Sequence, residues 1–326
     1  MKKVTKGKWN DFDTYILHSH NLEITLLPQL GNNVIAIWDK LEQRHVIRPP
    51  DEQDLDFYML KPYHFGMPML IPPGRIRDGQ FTFEGKNYQF DRNTAGDHHI
   101  HGLHRTQAWC VSDIQEDEEC CIVTTEFNTA DDAKWMAQYP APLKLEMTFK
   151  LQGAKFTQHL KVKHLGEGTI PFGIGYHSWF LLDGRPEQWK LQVPVKALYD
   201  MDHDLLINGE LLPLNDLEEL NSGLNLKDTN FDTLLRADTE QPTEAILLHE
   251  DGYGIKYAAD RRYFKHWVLY TKGIAHDYLC IEPYTWLPNA PNLTQGPELT
   301  GLITLEPQQS FETELYLEII NRPSVN

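Results

Sequence analysis

Side chains able to move protons gather at three places in this sequence. The first is Asp97-His98-His99-Ile100-His101-Gly102. In an extended backbone, neighbours point to opposite faces, so His99 and His101 would share one face, and His98 and Ile100 the other. An H-x-H pair on one face suits a metal ion; solvated imidazoles at a polar strand end are the plainer alternative. The second is Pro171-Phe172-Gly173-Ile174-Gly175-Tyr176-His177-Ser178-Trp179-Phe180, apolar apart from His177 and Ser178. A lone histidine there is either a satisfied core residue or an acid–base group, because imidazole exchanges its proton near neutral pH. The third is Leu279-Cys280-Ile281-Glu282-Pro283-Tyr284-Thr285-Trp286. Glu282 follows the apolar run from Tyr278 to Ile281. A carboxylate so placed needs partners, since an isolated buried charge is costly. It is half of an ion pair or it is a base.

The metal alternative lacks a ligand. After His99-Ile100-His101 come Gly102, Leu103, His104 and Arg105, with no carboxylate, and an arginine that would repel a divalent cation. No metal and no cofactor are expected.

The elements that must position these groups read as strands. Leu143, Leu145, Met147, Phe149 and Leu151 alternate with Lys144, Glu146, Thr148 and Lys150, the period of a half-buried strand. Phe156, Leu160 and Val162 repeat the pattern after a turn at Gly153-Ala154. Further strands are predicted at Leu22 to Leu27, Val34 to Trp38 and Phe311 to Ile319, with a hairpin across Glu84-Gly85. Helical periodicity is confined to Asp51 to Leu60, with Asp51 as N-cap, and Asn215 to Leu220. The stretch from Leu198 to Asp238 has the least pattern and is expected to be a long functional loop with short structure of its own. Many short strands, punctuated by 20 prolines and 21 glycines, predict an all-β fold, a large antiparallel sandwich, with residues 1–326 forming one domain.

Composition narrows the partners. The formal charge is -17, which disfavours nucleic acid and anionic membrane surfaces. No apolar run reaches the length of roughly 18 residues that spans a bilayer, and the lysine-rich start lacks the apolar core of a signal peptide. Cys110, Cys120, Cys121 and Cys280 include no C-x-x-C pair and read as reduced, which suits the cytoplasm.

Taken in order, the motifs resemble the aldose 1-epimerase (mutarotase) family. They are Pro28 to Gly31, Gly74-Arg75-Ile76, Phe83 to Tyr88, His101-Gly102, Tyr139 to Leu143, His177, Glu282 to Asn292, and Gly301, Leu305 and Pro307. The resemblance covers nearly the whole chain. It implies a β-sandwich with a sugar cleft across one sheet and a free aldohexose, such as galactose or glucose, as partner. It also implies roles: Glu282 as base, His177 as acid, His101 assisting at the ring oxygen, Arg75 binding the sugar and Asp232 gripping its hydroxyls. Trp179 and Trp286, with Tyr176 and Tyr284, flank these groups and could stack on a pyranose face. This chain has Gly74-Arg75 where the family commonly has Asn-Arg, and Leu103 where it has a second glycine; such changes bear on substrate preference more than on catalysis. Two alternatives stay open: a hexose-6-phosphate 1-epimerase, with Arg77, Arg105 and Lys61 as phosphate candidates, and a non-catalytic sugar-binding protein.

Overall fold

The computed structural model describes residues 2–273 and 277–321. Leu143–Gln152 and Lys155–His164 pair antiparallel across the Gly153-Ala154 turn. Their register buries Leu145, Met147, Phe149, Leu151, Phe156, Leu160 and Val162 on one face. This hairpin is the middle of a nine-stranded antiparallel sheet. On one side lie Cys120–Asn128 and Cys110–Glu116; on the other lie Ser310–Asn321, Gly254–Ala259, Glu244–His249, Trp189–Gln192 and Leu224–Asn225.

An eight-stranded sheet faces it. Its order is Ile207–Leu212, Val195–Met201, Asp232–Ala237, His266–Tyr270, Tyr278–Tyr284, Gly175–Tyr176 and Met69–Leu70, with Ser178–Leu181 also paired to Tyr278–Tyr284. Leu235, Trp267, Leu269, Leu279, Ile281 and Phe180 join the inner residues of the first sheet in one buried cluster. The two layers touch directly where the Ser178 and Tyr257 hydroxyls lie 2.7 Å apart and where the Phe180 and Tyr257 rings meet at 5.2 Å. The fold is an antiparallel β-sandwich. A five-stranded sheet running from Val4–Trp9 to Arg44–His45 adds Leu17, Leu22, Ile24 and Ile37 to the same core.

The short helical segments also appear. Asp51 caps Glu52–Asp54 in a capping box, and an α-helix follows at Leu55–Leu60. The stretch from Leu198 to Asp238 has the short structure expected of it, but more of it than a loop would carry. It holds the strands Ile207–Leu212, Leu224–Asn225 and Asp232–Ala237 and the 3-10 segment Asn215–Asn221. The reason is visible in Asp232–Ala237, where Leu234 and Leu235 are both buried, on opposite faces. A strand covered on both sides loses the apolar–polar alternation by which strands are recognised.

Leu160→Ala removes a side chain with no exposed area at the centre of the sandwich. It is expected to lower stability by about 2–5 kcal/mol, measured as a shift of the denaturant midpoint at constant slope.

Candidate active site

The register of the eight-stranded sheet sets the site. Gly175 pairs with Tyr284 and Ser178 with Ile281, so His177, between them, stands opposite Glu282. Glu282 pairs in turn with Val268, and Val268 with Leu234. Directly paired residues point to the same face, so His177, Glu282, Val268 and Leu234 form one row on the outer face. The next row is Trp179, Cys280, Tyr270 and Asp232. These two rows form the floor of a cleft of about 210 Å³; of their residues only Cys280 does not line it.

Within the cleft, His177 Nε2 lies 3.3 Å from Glu282 Oε1. The Tyr284 hydroxyl, two residues along the same strand, donates to Glu282 Oε2 at 2.7 Å. Both members of the pair are buried, with relative exposures of 6% and 2%. Burial pushes the Glu282 carboxyl well above the ordinary carboxylate range; the Tyr284 hydrogen bond and Arg75 draw it down, and Asp232 pushes it up. Burial lowers His177 to about 3, helped by His64. Each group therefore favours its neutral form, and the pair shares one proton between carboxyl and imidazole. The His177 ring stacks on Trp179 at 5.1 Å and 13°.

His101 reaches the site by another route. The strand that carries it is only His99–Ile100, and His101 itself has φ +64. Gly102 follows at φ +71, and a Cβ there would lie 2.0 Å from the Ile71 carbonyl. The turn therefore requires glycine. Its geometry brings the His101 ring to 5.2 Å from His177, edge-on, and 4.8 Å from Tyr63. It also overturns the shared face expected for His99 and His101: His101 lines the cleft, whereas His99 lines a different cavity, so the H-x-H residues do not converge.

Arg75, Asp232 and Trp179 line the cleft. Trp286 does not, and that expectation is corrected. It is 1% exposed, its Nε1 donates to the Pro73 carbonyl at 3.1 Å, and its indole packs on Gly173. Tyr176 points inward to the core. The phosphate candidates are not at the site either. Arg77 pairs with Asp202 at 3.0 Å, Arg105 lines the other cavity, and Lys61 lines neither. Among the described residues, Arg75 is the one lysine or arginine lining the cleft.

Tyr63, His64, Met201 and Leu205 add to the walls; neither they nor Tyr270 on the floor were anticipated. The crowding of Tyr63, His64 and Phe65 just before Gly66 was the available signal for the first two. A His177 ring nitrogen, Cys280 Sγ and a Glu282 oxygen lie within 4.8 Å of one another, a donor set that zinc accepts. An ion there would occupy both members of the proton-carrying pair.

A β-sandwich with an acid–base pair on the outer face of one sheet defines the class, and the comparisons define the family. The aldose 1-epimerase family model matches residues 13–318, and the chain belongs to that family. An uncharacterised protein of Escherichia coli K12, YphB, is 26% identical over 261 residues, covering 77% of this chain and 82% of that protein. The galactose mutarotase of Sus scrofa is 26% identical over 168 residues, 49% of this chain and 46% of its own length. A galactose mutarotase-like protein from Clostridium acetobutylicum has the same fold with TM-score 0.91 at 22% identity, covering 98% of both chains. The galactose 1-epimerase of Lactobacillus acidophilus NCFM superposes with TM-score 0.78 at 17% identity, again over 98% of both.

Burial lowers the pKa of seven histidines: His64, His99 and His104 to about 4, His177 and His266 to about 3, His101 well below its usual value and His45 in the same direction. In the unfolded chain each returns to about 6.5. Their contribution to stability is complete above that pH and is lost as pH falls toward the folded values, by about 1.4 kcal/mol per pH unit for each histidine fully charged in the unfolded chain. Glu282, raised rather than lowered, works the other way with a single proton. The melting temperature is expected to fall steeply between pH 6.5 and 4.5; a flat profile across that interval would count against neutral burial of these rings.

Proposed function

We propose that the protein is an aldose 1-epimerase that interconverts the α and β anomers of a free aldohexose such as galactose or glucose. The observation that carries this reading is the cross-strand pair His177–Glu282, with Nε2 and Oε1 3.3 Å apart on the floor of the Arg75- and Asp232-lined cleft. Anomer exchange requires a base at the anomeric hydroxyl and an acid at the ring oxygen. Glu282 takes the proton from O1, His177 delivers one to O5, and the C1–O5 bond breaks to leave an open-chain aldehyde. Rotation about C1–C2 presents the other face of the carbonyl, and the same groups return the protons as the ring closes. Proton transfer by positioned side chains accounts for about 10²–10⁴-fold in rate.

The single shared proton fits this cycle. The working form, carboxylate with imidazolium, has the same total charge as the neutral pair, so it is reached by a proton shift inside the cleft without bringing a charge in from water. His101 faces the same space and assists at the ring oxygen. Arg75 and Asp232 hold hydroxyls, and Trp179 supports the acid by stacking on its ring. The cleft supports an unsubstituted sugar better than a phosphorylated one, because the other candidate cations lie outside it.

Polarimetry of freshly dissolved α-D-galactose and α-D-glucose tests the reading. The protein should accelerate the decay of optical rotation, and Glu282→Gln should reduce kcat by about 10²–10⁴-fold while the protein still folds. No acceleration with either sugar would sink the proposal. Asp232→Asn should act mainly on KM, raising it about tenfold, in line with loss of a charge-assisted hydrogen bond.

The pH dependence of kcat should show a plateau through neutrality. Activity falls in acid as the pair gains a second proton and in alkali as it loses the shared one. An alkaline limb centred near 6.5, the ordinary imidazole value, would mean that an independent histidine is the acid.

A further inference from the structure

A second cavity, about 440 Å³, lies behind the turn that carries His101. Gly102 and His99 line it, whereas His101 and Ile100 line the sugar cleft. Arg105 lines this cavity too. Among the described residues its guanidinium makes no ion pair and no side-chain hydrogen bond; its one aromatic contact is with Tyr63, 5.7 Å from the ring centre. Burial pulls its pKa below the usual arginine value, the mark of a cation removed from water without a full counter-charge.

The other ionisable groups around the cavity are already matched. Asp91 pairs with Lys134 at 3.4 Å and accepts a hydrogen bond from Gln138 Nε2 at 3.1 Å. Burial holds His99, at about 4, in its neutral form at pH 7, with Nδ1 2.7 Å from the Asp91 carbonyl. One positive charge is left over. A single cation beside the Asp91 carboxylate suits a monoanion and disfavours a dianion such as phosphate. The planar fork of arginine matches a carboxylate in particular. Thr106 and Gln107 supply polar groups around it, the Asn93 amide being held by the Ile100 backbone, and Met59 and Leu60, 46% and 72% exposed, supply an apolar rim.

We propose that this cavity binds a small polyhydroxy carboxylate, with the carboxylate on Arg105 and the hydroxyls on the amide and hydroxyl side chains of the wall. The site is separate from the sugar cleft and does not depend on the activity proposed above.

Calorimetric titration of the full chain with sodium D-gluconate tests the idea. The expected result is one site whose affinity is unchanged in Glu282→Gln and at least about tenfold weaker in Arg105→Gln, the loss of a charge-assisted pair. Met59→Glu, on the exposed rim where folding is not at stake, should weaken binding several-fold by placing a like charge at the mouth, and it decides the matter if Arg105→Gln does not fold. Sodium phosphate and sodium chloride at the same concentrations should neither bind nor compete. Four results would overturn the proposal: no heat with gluconate, loss of binding in Glu282→Gln, unchanged affinity in Met59→Glu or in folded Arg105→Gln, or equal binding of phosphate.

Discussion

The structure around the cleft depends on keeping two ionisable groups, His177 and Glu282, opposite each other where water cannot stabilise either charge. The ladder does this without a dedicated scaffold. Tyr278–Tyr284 is bonded on one side to His266–Tyr270 and on the other to the strands flanking His177. The lateral position of Glu282 is therefore fixed by hydrogen bonds on both sides. Its height is fixed by the inner face, where Ile281 is buried between the sheets. A slip of one residue would turn Ile281 outward and Glu282 into the core, so the same apolar packing that stabilises the sandwich enforces the position of the carboxylate. Tyr284, two residues away and hence on the same face, supplies the hydrogen bond that the buried carboxyl requires.

Much of this was legible in the sequence, for a physical reason. Leu143–Gln152, Lys155–His164 and Ser310–Asn321 belong to a sheet with one face against the core and one in water, so their alternation is open to inspection. The strands of the site sheet are covered on both faces, by the core beneath and the cleft walls above. In Tyr278–Tyr284 every residue after Tyr278 is buried, and in Asp232–Ala237 the neighbours Leu234 and Leu235 are both buried, which breaks the alternation. There the residue types revealed the chemistry, since His177 and Glu282 stand out as polar groups in apolar runs, while register and pairing stayed hidden. His101 shows the opposite failure. Its spacing from His99 was plain, but the inference assumed an extended backbone, and the paired left-handed residues at His101 and Gly102 send the two rings into separate cavities.

Trp286 and Trp179 illustrate how far chain proximity can be taken. Both lie a few residues from a proton-carrying side chain. Trp179 is two residues from His177 along one extended segment, so parity brings it to the same face and stacks the two rings. Trp286 is four residues from Glu282 and has the parity of Glu282 too, but the strand ends at Tyr284 and parity has no meaning beyond that end. The Thr285 backbone N–H then bonds to the Ile174 carbonyl at 2.9 Å, the chain turns, and the indole drops onto Gly173.

The division between floor and walls has a consequence for how such a site can vary. The floor residues are tied to the sandwich core through their immediate neighbours in the chain, so a change of backbone there is felt by Ile281, Leu269 or Phe180. The walls come from irregular segments around Tyr63, Gly74-Arg75, Met201 to Leu205 and Pro288, whose backbones are anchored at a few points, such as the His101 N–H to the Gly74 carbonyl at 3.0 Å. Gly74 has no side chain to offer the cleft at the position where an asparagine amide commonly stands in the family. What it faces instead is the Pro288 ring, close enough that a Cβ at position 74 would lie 2.7 Å from the proline Cγ. This wall is therefore apolar in Pro288, Met201 and Leu205, and polar only through Arg75. His177 and Glu282 thus stand on the sheet together with Trp179 and Asp232, whereas the walls that carry Arg75 and His101 can be rebuilt without moving that pair.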